Sequence, residues 1–353
     1  MAETYTVTVE PLGREVQCAD DQPILDACLR AGVWLPHSCT HGTCATCKVD
    51  VLDGDVDHGA ASSFALMDFE RDEGKTLTCC ATPQTDVVIE ADIEVDDELE
   101  MFPVKDFEGT IVTLEDIATD IKRLVVKLDS EIGFNAGQYM RFQIPGHEGI
   151  DRTWSIASPP TQTDELEFHV ALVPGGIGTE GWLFADAKEG DRIKLAGPYG
   201  RFVLRTWEEK PVVMLGGGTG LAPLAAMVKH ALINEEYEGH ITLYAGARAP
   251  EYLYDVDLFR ELEEEYPDQF TFHACIDTGE GDGYRTGYVS SVMEEDFERL
   301  GGYQAYICGS PAMVEGTLKS LMSRRLFPRD IFHEDFFNEG DKAAGVGSPL
   351  IKR

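Results

Sequence analysis

The sequence predicts a multidomain chain of α+β and α/β modules: a small mixed sheet carrying one helix, then an antiparallel β-barrel, then a parallel sheet covered by helices. Three observations carry that reading. Four cysteines, Cys39, Cys44, Cys47 and Cys79, stand at the spacing C-x4-C-x2-C-x31-C. A middle stretch from about Phe107 to Leu204 is a series of short alternating runs separated by turn residues. From Pro211 onward, apolar strand candidates alternate with helical stretches, the pattern of a parallel sheet. The expected domains are residues 3–98, 99–205 and 206–353.

In the first module TYTVTVEP alternates as a strand does, and GREVQCAD reads as its hairpin partner. PILDACLRAG is a short amphipathic helix with Ile24, Leu25, Cys28 and Leu29 on one face and Gly32 as its stop. TDVVIEADI reads as a closing strand. The cysteine spacing is the plant-type one for a [2Fe–2S] cluster held by four thiolates. Gly42 lets the backbone of the loop approach the cluster. A four-cysteine zinc site is the rival, but zinc sites draw their ligands as two close pairs. Cys80 competes with Cys79 for the fourth position. Neighbours on an extended segment face opposite ways, so only one of the two can reach the cluster, and Cys79 is favoured. Cys18, Cys28, Cys275 and Cys308 are scattered and read as buried apolar residues. A [2Fe–2S] centre moves single electrons, so the chain is expected to be an electron carrier.

The chain has 353 residues, enough for two or three domains with cores of their own. No apolar run reaches transmembrane length, and MAETYTVTVE lacks the basic and apolar regions of a signal peptide. A cytoplasmic, reducing location is expected. The balance of 29 basic against 64 acidic residues, net −35, argues against nucleic-acid and anionic-membrane partners. Thirteen acidic residues and one lysine lie between Asp86 and Asp120. That stretch reads as a solvated surface suited to high salt, or as an acidic face for a basic partner.

In the middle module the runs GTIVTLEDI, IKRLVVKLD, QYMRFQI, ELEFHVALV and DRIKLAG are the barrel strands. Among them stands Arg152-Thr153-Trp154-Ser155. An arginine can bind a pyrophosphate, an aromatic ring can stack on a flat cofactor, and a hydroxyl can reach a ring nitrogen. PGGIGTEGWL, with Gly175, Gly176 and Thr179, is expected to open a helix whose first amides suit an anion. In the third module VVMLGGGTGLAPLAAMV is a strand, a glycine loop with Gly217, Gly218, Thr219 and Gly220, and a helix. Leu221 stands where the dinucleotide fingerprint GxGxxG would place its third glycine, so this is a different nucleotide loop. YICGSPAM, with Cys308 and Gly309, is a strand ending in a sharp loop.

Together these segments resemble the ferredoxin–NADP reductase superfamily. RTWS looks like its flavin motif Arg-x-Tyr-Ser, PGGIGT like its flavin phosphate motif, and GPYGRF like the end of its barrel. GGGTGLAP and YICGSPAM look like its nicotinamide-nucleotide motifs, and LYAGAR and IFHEDFF are similar too. The N-terminal module resembles the plant-type ferredoxin, a β-grasp fold. With that module in front, nearly the whole chain is similar to the reductase component of multicomponent phenol hydroxylases. GVWLP, HGTCATCKV, GDVDHGAASSFALMDFER and DIFHEDFF carry this closer match. Trp154 departs from the usual tyrosine, keeping the stacking surface and losing a phenol hydroxyl. Ser310 stands where the family often has proline.

The resemblance implies an NADH-dependent reductase with FAD and [2Fe–2S], passing electrons to a di-iron oxygenase that hydroxylates an aromatic ring. Reductases of Rieske-type dioxygenases and of alkene or methane monooxygenases share the design. A non-enzymatic redox carrier or sensor is the alternative from another class. Arg152 is expected at the FAD pyrophosphate, Trp154 packed on the cofactor, Ser155 near the flavin N5 and Cys308 close to the nicotinamide. Glu334 and Phe336 are expected to close the flavin face. NADH is expected over NADPH, because Glu251 and Asp255 would repel a 2′-phosphate and only Arg248 is there to hold one.

Overall fold

The computed structural model describes residues 3–38, 40–93, 98–233, 237–278 and 283–337. It contains two compact units, one within the chain up to Lys105 and one spanning Asp106–Phe336. Residues beyond 98 still belong to the first unit, where the Val104 amide donates to the Leu29 carbonyl at 3.2 Å.

The first unit strings together β1 (Thr4–Glu10), β2 (Arg14–Ala19), α1 (Ile24–Arg30), β3 (Lys48–Asp53), β4 (Val56–Asp57), α2 (Asp68–Asp72), β5 (Lys75–Leu77), β6 (Thr82–Pro83) and β7 (Val87–Glu90). Its sheet runs β2-β1-β7-β3-β5, and β4 pairs with β6 in a separate ladder. The β1–β2 hairpin is antiparallel, as the alternation predicts. β7 lies parallel to β1 and antiparallel to β3, so the last strand is central. Helix α1 buries Ile24, Leu25, Ala27, Cys28 and Leu29. No side chain caps its start. Instead the Ile24 and Leu25 amides donate to the carbonyls of Ala81 and Thr78, both at 2.9 Å. The helix start is thereby tied to the segment bearing Cys79 and Cys80.

The second unit opens with β8 (Lys105–Ala118), β9 (Ile121–Leu128), β10 (Tyr139–Gln143), β11 (Asp151–Ser155), β12 (Glu165–Ala171) and β13 (Arg192–Tyr199). Their order is β11-β10-β13-β8-β9-β12, and a bridge between Ile156 and Phe168 links the two ends into a closed barrel. Closure removes the free sheet edges. Ile111, Leu124, Met140, Phe142, Ile156, Leu166 and Phe168 fill it and are fully buried. Where the sequence predicts a helix after Pro174, a five-residue π turn forms over Thr179–Leu183. Its Trp182 and Leu183 are drawn into the barrel core, and that packing sets the turn.

The same unit continues with β14 (Val212–Gly217), α3 (Leu221–Ile233), β15 (Ile241–Ala247), α4 (Val256–Glu265), β16 (Phe270–Ile276), β17 (Arg285–Thr286), α5 (Val289–Asp296), β18 (Gln304–Gly309), α6 (Pro311–Ser323) and β19 (Ile331–Asp335). All six strands are parallel, in the order β17-β16-β15-β14-β18-β19. The order reverses at β14, whose neighbours are β15 and β18. Ligands of open parallel sheets bind at the carboxyl ends of strands beside such a reversal. No described helix is long and apolar enough to cross a membrane.

Candidate cofactor and nucleotide sites

Cys39 lies outside the described residues. Of the other expected cluster ligands, Cys44, Cys47 and Cys79 are all buried. The Thr78 amide and hydroxyl both reach the Cys47 carbonyl, at 3.1 and 3.2 Å. This double tie brings the Cys47 and Cys79 thiols within hydrogen-bond range, and the contact raises the Cys79 thiol pKa, with Cys80 and burial adding to it. The loop turns through positive φ at Thr40, Gly42 and Ala45. A β-carbon on Gly42 would stand 2.6 Å from Cys80 Sγ, so glycine, here at φ +74, lets the loop lie close against that residue. Paired buried thiols under an inward-turned loop fit a [2Fe–2S] cluster.

The extended segment expected at Cys79–Cys80 is instead a turn, closed by the Cys80 and Ala81 amides on the Leu77 carbonyl. The two sulfurs therefore do not point apart; they lie 3.7 Å from each other. What separates them is surroundings: Cys79 meets Cys47, while the half-exposed Cys80 rests against Gly42.

The barrel segment Arg152–Ser155 lies in strand β11, paired with β10 so that Trp154 faces Met140 and Arg152 faces Phe142. Alternation puts Arg152 and Trp154 on one side of the strand and Thr153 and Ser155 on the other. The Trp154 ring lies 4.6 Å from Phe142 and stacks parallel to Trp182 at 6.2 Å. A β-carbon on Gly178 would come within 2.7 Å of Arg152 Cγ, so the glycine turn and the arginine share one place. The Thr179 hydroxyl is used within that turn, accepting from the Val173 amide and donating to its carbonyl, both at 3.1 Å. Gly176 lies against this hydroxyl, and Gly175 turns with φ +75. Ser155 is buried at the strand end. A guanidinium beside a glycine turn, a flat aromatic pair and a buried hydroxyl suit a flavin with a pyrophosphate.

A cavity of about 770 Å³ lies at the carboxyl ends of β14 and β15. Gly217, Gly218 and Thr219 line one side and Arg248 another, together with Asp120, Tyr252 and Asp277. Arg248 sits 3.7 Å over the Tyr252 ring and 3.8 Å from Asp120. Gly220, Cys308 and Gly309 pack against these residues. A β-carbon on Gly220 would fall 2.1 Å from the Cys308 carbonyl oxygen. The volume and the bare glycine backbone fit a nicotinamide nucleotide.

Cys308 is fully buried, and burial first, then the nearby carboxyls of Glu334 and Asp335, raises its thiol pKa. Its register partner on β19 is Glu334. Burial, aided by Asp335, pushes the Glu334 carboxyl up to about 8. Its Oε2 is buried without a hydrogen-bond partner. The Phe336 amide donates to the Gly309 carbonyl at 2.8 Å, and its ring packs on the core of this half. Cys308, Glu334 and Phe336 thus meet at one end of β18 and β19.

Glu251 and Asp255 are both absent from the cavity lining, contrary to the sequence expectation, and Asp255 is engaged elsewhere. It adopts φ +54 and pairs with Arg123 of the barrel at 2.5 Å. The acidic groups that do line the cavity, Asp120 and Asp277, escaped the sequence reading. Asp277 directly follows a parallel strand, and the carboxyl-end rule for such sheets would have pointed to it.

These three sites in one chain define a class: an iron–sulfur flavoprotein oxidoreductase of ferredoxin, FAD and NAD domains. The chain matches the 2Fe-2S iron-sulfur cluster binding domain over residues 7–84, the oxidoreductase FAD-binding domain over 108–204 and the oxidoreductase NAD-binding domain over 214–319. It is 44% identical to the phenol 2-monooxygenase reductase component DmpP of Pseudomonas sp. strain CF600, covering 99% of both chains. It is 35% identical to the reductase component of the naphthalene 1,2-dioxygenase system of Pseudomonas putida, covering 94% of this chain and 98% of that one. The crystal structure of the Amycolatopsis reductase GcoB superposes with a TM-score of 0.88 at 39% identity, covering 94% of this chain and 99% of that one. The chain belongs to the family of phenol hydroxylase reductase components.

Two outcomes follow from the site geometry. Cys79→Ser should bleach the cluster spectrum while flavin content stays, and Cys80→Ser should leave the cluster in place; loss of the cluster in Cys80→Ser alone would reverse the assignment. Glu334 titrates near pH 8 when folded and near 4.5 otherwise. In that window the folded state keeps a proton that the unfolded state releases, so stability falls as pH rises and levels off above 8. Glu334→Gln should cancel this loss, closing on or passing the wild type by up to about 1.4 kcal/mol per pH unit. Thermal melts of both proteins from pH 5 to 8.5 check this, and parallel Tm curves would contradict it.

Proposed function

We propose that the protein is the NADH-dependent reductase of a multicomponent aromatic monooxygenase of the phenol-hydroxylating, di-iron type. Full-length identity of 44% to a phenol 2-monooxygenase reductase component supports that acceptor. The naphthalene dioxygenase relative shares the scaffold at 35%, so the lower-ranked reading is a Rieske dioxygenase partner. When bound, the nicotinamide supplies a hydride, FAD divides its electron pair and the cluster hands electrons on singly.

The residues have separate tasks in this reading. Cys39, Cys44, Cys47 and Cys79 hold the cluster. Arg152 neutralises the FAD pyrophosphate, Trp154 packs against the cofactor and Ser155 hydrogen-bonds at the flavin ring edge. Gly217, Gly218 and Thr219 let the nucleotide approach the backbone, with Gly220 and Gly309 permitting the close packing beneath. Cys308 and the neutral Glu334 make a water-poor floor for hydride transfer, and Phe336 covers it. A reducing, cytoplasmic compartment suits a thiolate-held cluster.

The single observation that carries the NADH preference is the sign of charge in the nucleotide cavity. Asp120 and Asp277 both line it, and Arg248, the one cation lining it among the described residues, is already held by Asp120 and Tyr252. A ribose hydroxyl can donate to Asp277, whereas a 2′-phosphate would meet two carboxylates. The experiment is kcat/KM for NADH and NADPH at matched ionic strength. An NADH advantage of about tenfold, or ~1.4 kcal/mol, is expected. Equal values, or an NADPH advantage, would refute the preference.

A further inference from the structure

A charged cluster between barrel and parallel sheet is used by none of the roles above. Glu167 of β12 accepts from Arg123 Nε of β9 at 3.0 Å and meets His169 Nε2 at 2.7 Å. Lys229 of α3 approaches its other oxygen at 3.7 Å. Asp255 completes the group, bonded to Arg123 Nη2, with its second oxygen 3.8 Å from His169 Nε2. The His169 side chain is fully buried. Burial opposes ionisation of Glu167, yet the His169 contact and the Lys229 and Arg123 charges hold its carboxyl at about 2.

Glu167, His169 and Asp255 offer donor atoms within 4.8 Å of one another, which suggests a metal site. The cations are already there. A guanidinium and an ammonium lie against the carboxylates, and a divalent ion would have to share the space with both.

Asp255 shows what the cluster does instead. It is the residue before α4, where an aspartate ordinarily caps the first amides of the helix. Its side chain makes no such bond, and its backbone is left-handed at φ 54. Both are unfavourable locally, and the ion pair to the barrel is what they obtain. The preceding residue, Tyr254, is buried with its ring edge-on to His169 at 4.9 Å. Its hydroxyl donates to the Gly218 carbonyl at 3.4 Å. Gly218 lines the nucleotide cavity. A second tie, from the Thr119 amide to the Glu251 carbonyl at 2.9 Å, fixes the start of the same loop.

We propose that Arg123, Glu167, His169 and Asp255 form a positioning device for nucleotide binding: they clamp the loop before α4 to the barrel, so that Tyr254 holds Gly218 in the shape the nicotinamide nucleotide needs. Tyr254 and Asp255 are positioning residues, neither of which touches the reacting atoms. The inference rests on the nucleotide site proposed above.

The test is calorimetric titration of oxidised holoenzyme with NAD⁺, for the wild type, Asp255→Asn, Tyr254→Phe and the double variant. Dithionite reduction of the cofactors is followed in parallel. The Kd should rise roughly tenfold in Asp255→Asn and less in Tyr254→Phe, with the double variant no weaker than Asp255→Asn alone. Dithionite reduction should be unchanged, which a general loosening of the fold would not allow. Tyr254→Phe removes one hydroxyl only and decides the matter if Asp255→Asn does not fold. Kd values within twofold of the wild type, fully additive losses, or stoichiometric zinc in the wild type by elemental analysis would each overturn the inference. A wild type that binds no NAD⁺ would sink the proposed function and this inference with it; normal wild-type binding with unaltered variants sinks the inference alone.

Discussion

The nucleotide half depends on one close approach, that of Gly220 to the backbone of Cys308. A β-carbon there would stand 2.1 Å from a carbonyl oxygen and 2.8 Å from the Gly309 nitrogen. Because glycine permits it, the loop after β14 folds down onto the end of β18, and α3 can start at Leu221. The approach brings Gly217, Gly218 and Thr219 to the cavity wall and seals Cys308 beneath them. Glu334, the register partner of Cys308, is buried as well. The buried end of β18 and the open glycine wall are thus two sides of one contact.

Burial does different things to the acidic groups of this half. Glu334 has little to compensate its charge and stays protonated to about pH 8. Glu167 is also largely enclosed, but the His169 contact and the charges of Lys229 and Arg123 keep it ionised. The first leaves an uncharged carboxyl beside the fully buried Cys308 at the end of β18 and β19. The second makes a fixed joint between barrel and sheet. One carboxyl thus stays neutral because it is isolated, and the other stays ionised because it is paired, within the same half of the chain.

Much of this was legible because strands and helices carry periodic signals. The runs TYTVTVEP, IKRLVVKLD and VVMLGGG became β1, β9 and β14, and the cysteine spacing falls within the segment that matches a 2Fe-2S cluster binding domain. What escaped was set by contacts distant in sequence. β11 drew attention as a motif and not as a strand, since its pairing with β10 is not visible in five residues. The π turn after Gly178 exists because Trp182 enters the barrel, a fact no local propensity contains. Asp255 misled for a clear reason: although it follows Arg248 closely in sequence, its left-handed backbone accompanies a carboxylate turned to Arg123, 132 residues away. Cys79 and Cys80 misled likewise, because a turn closed on Leu77 replaces the extended chain that alternation assumes.

The central claim is that one chain takes electrons from NADH and delivers them singly to its own [2Fe–2S] centre. Anaerobic addition of NADH to the holoenzyme, followed by flavin absorbance and low-temperature EPR on the same sample, tests it directly. The account predicts that flavin bleaching is accompanied by the EPR signal of a reduced [2Fe–2S] cluster, and that the signal is absent in Cys79→Ser while bleaching persists. Bleaching of the wild-type flavin with no cluster signal would contradict it.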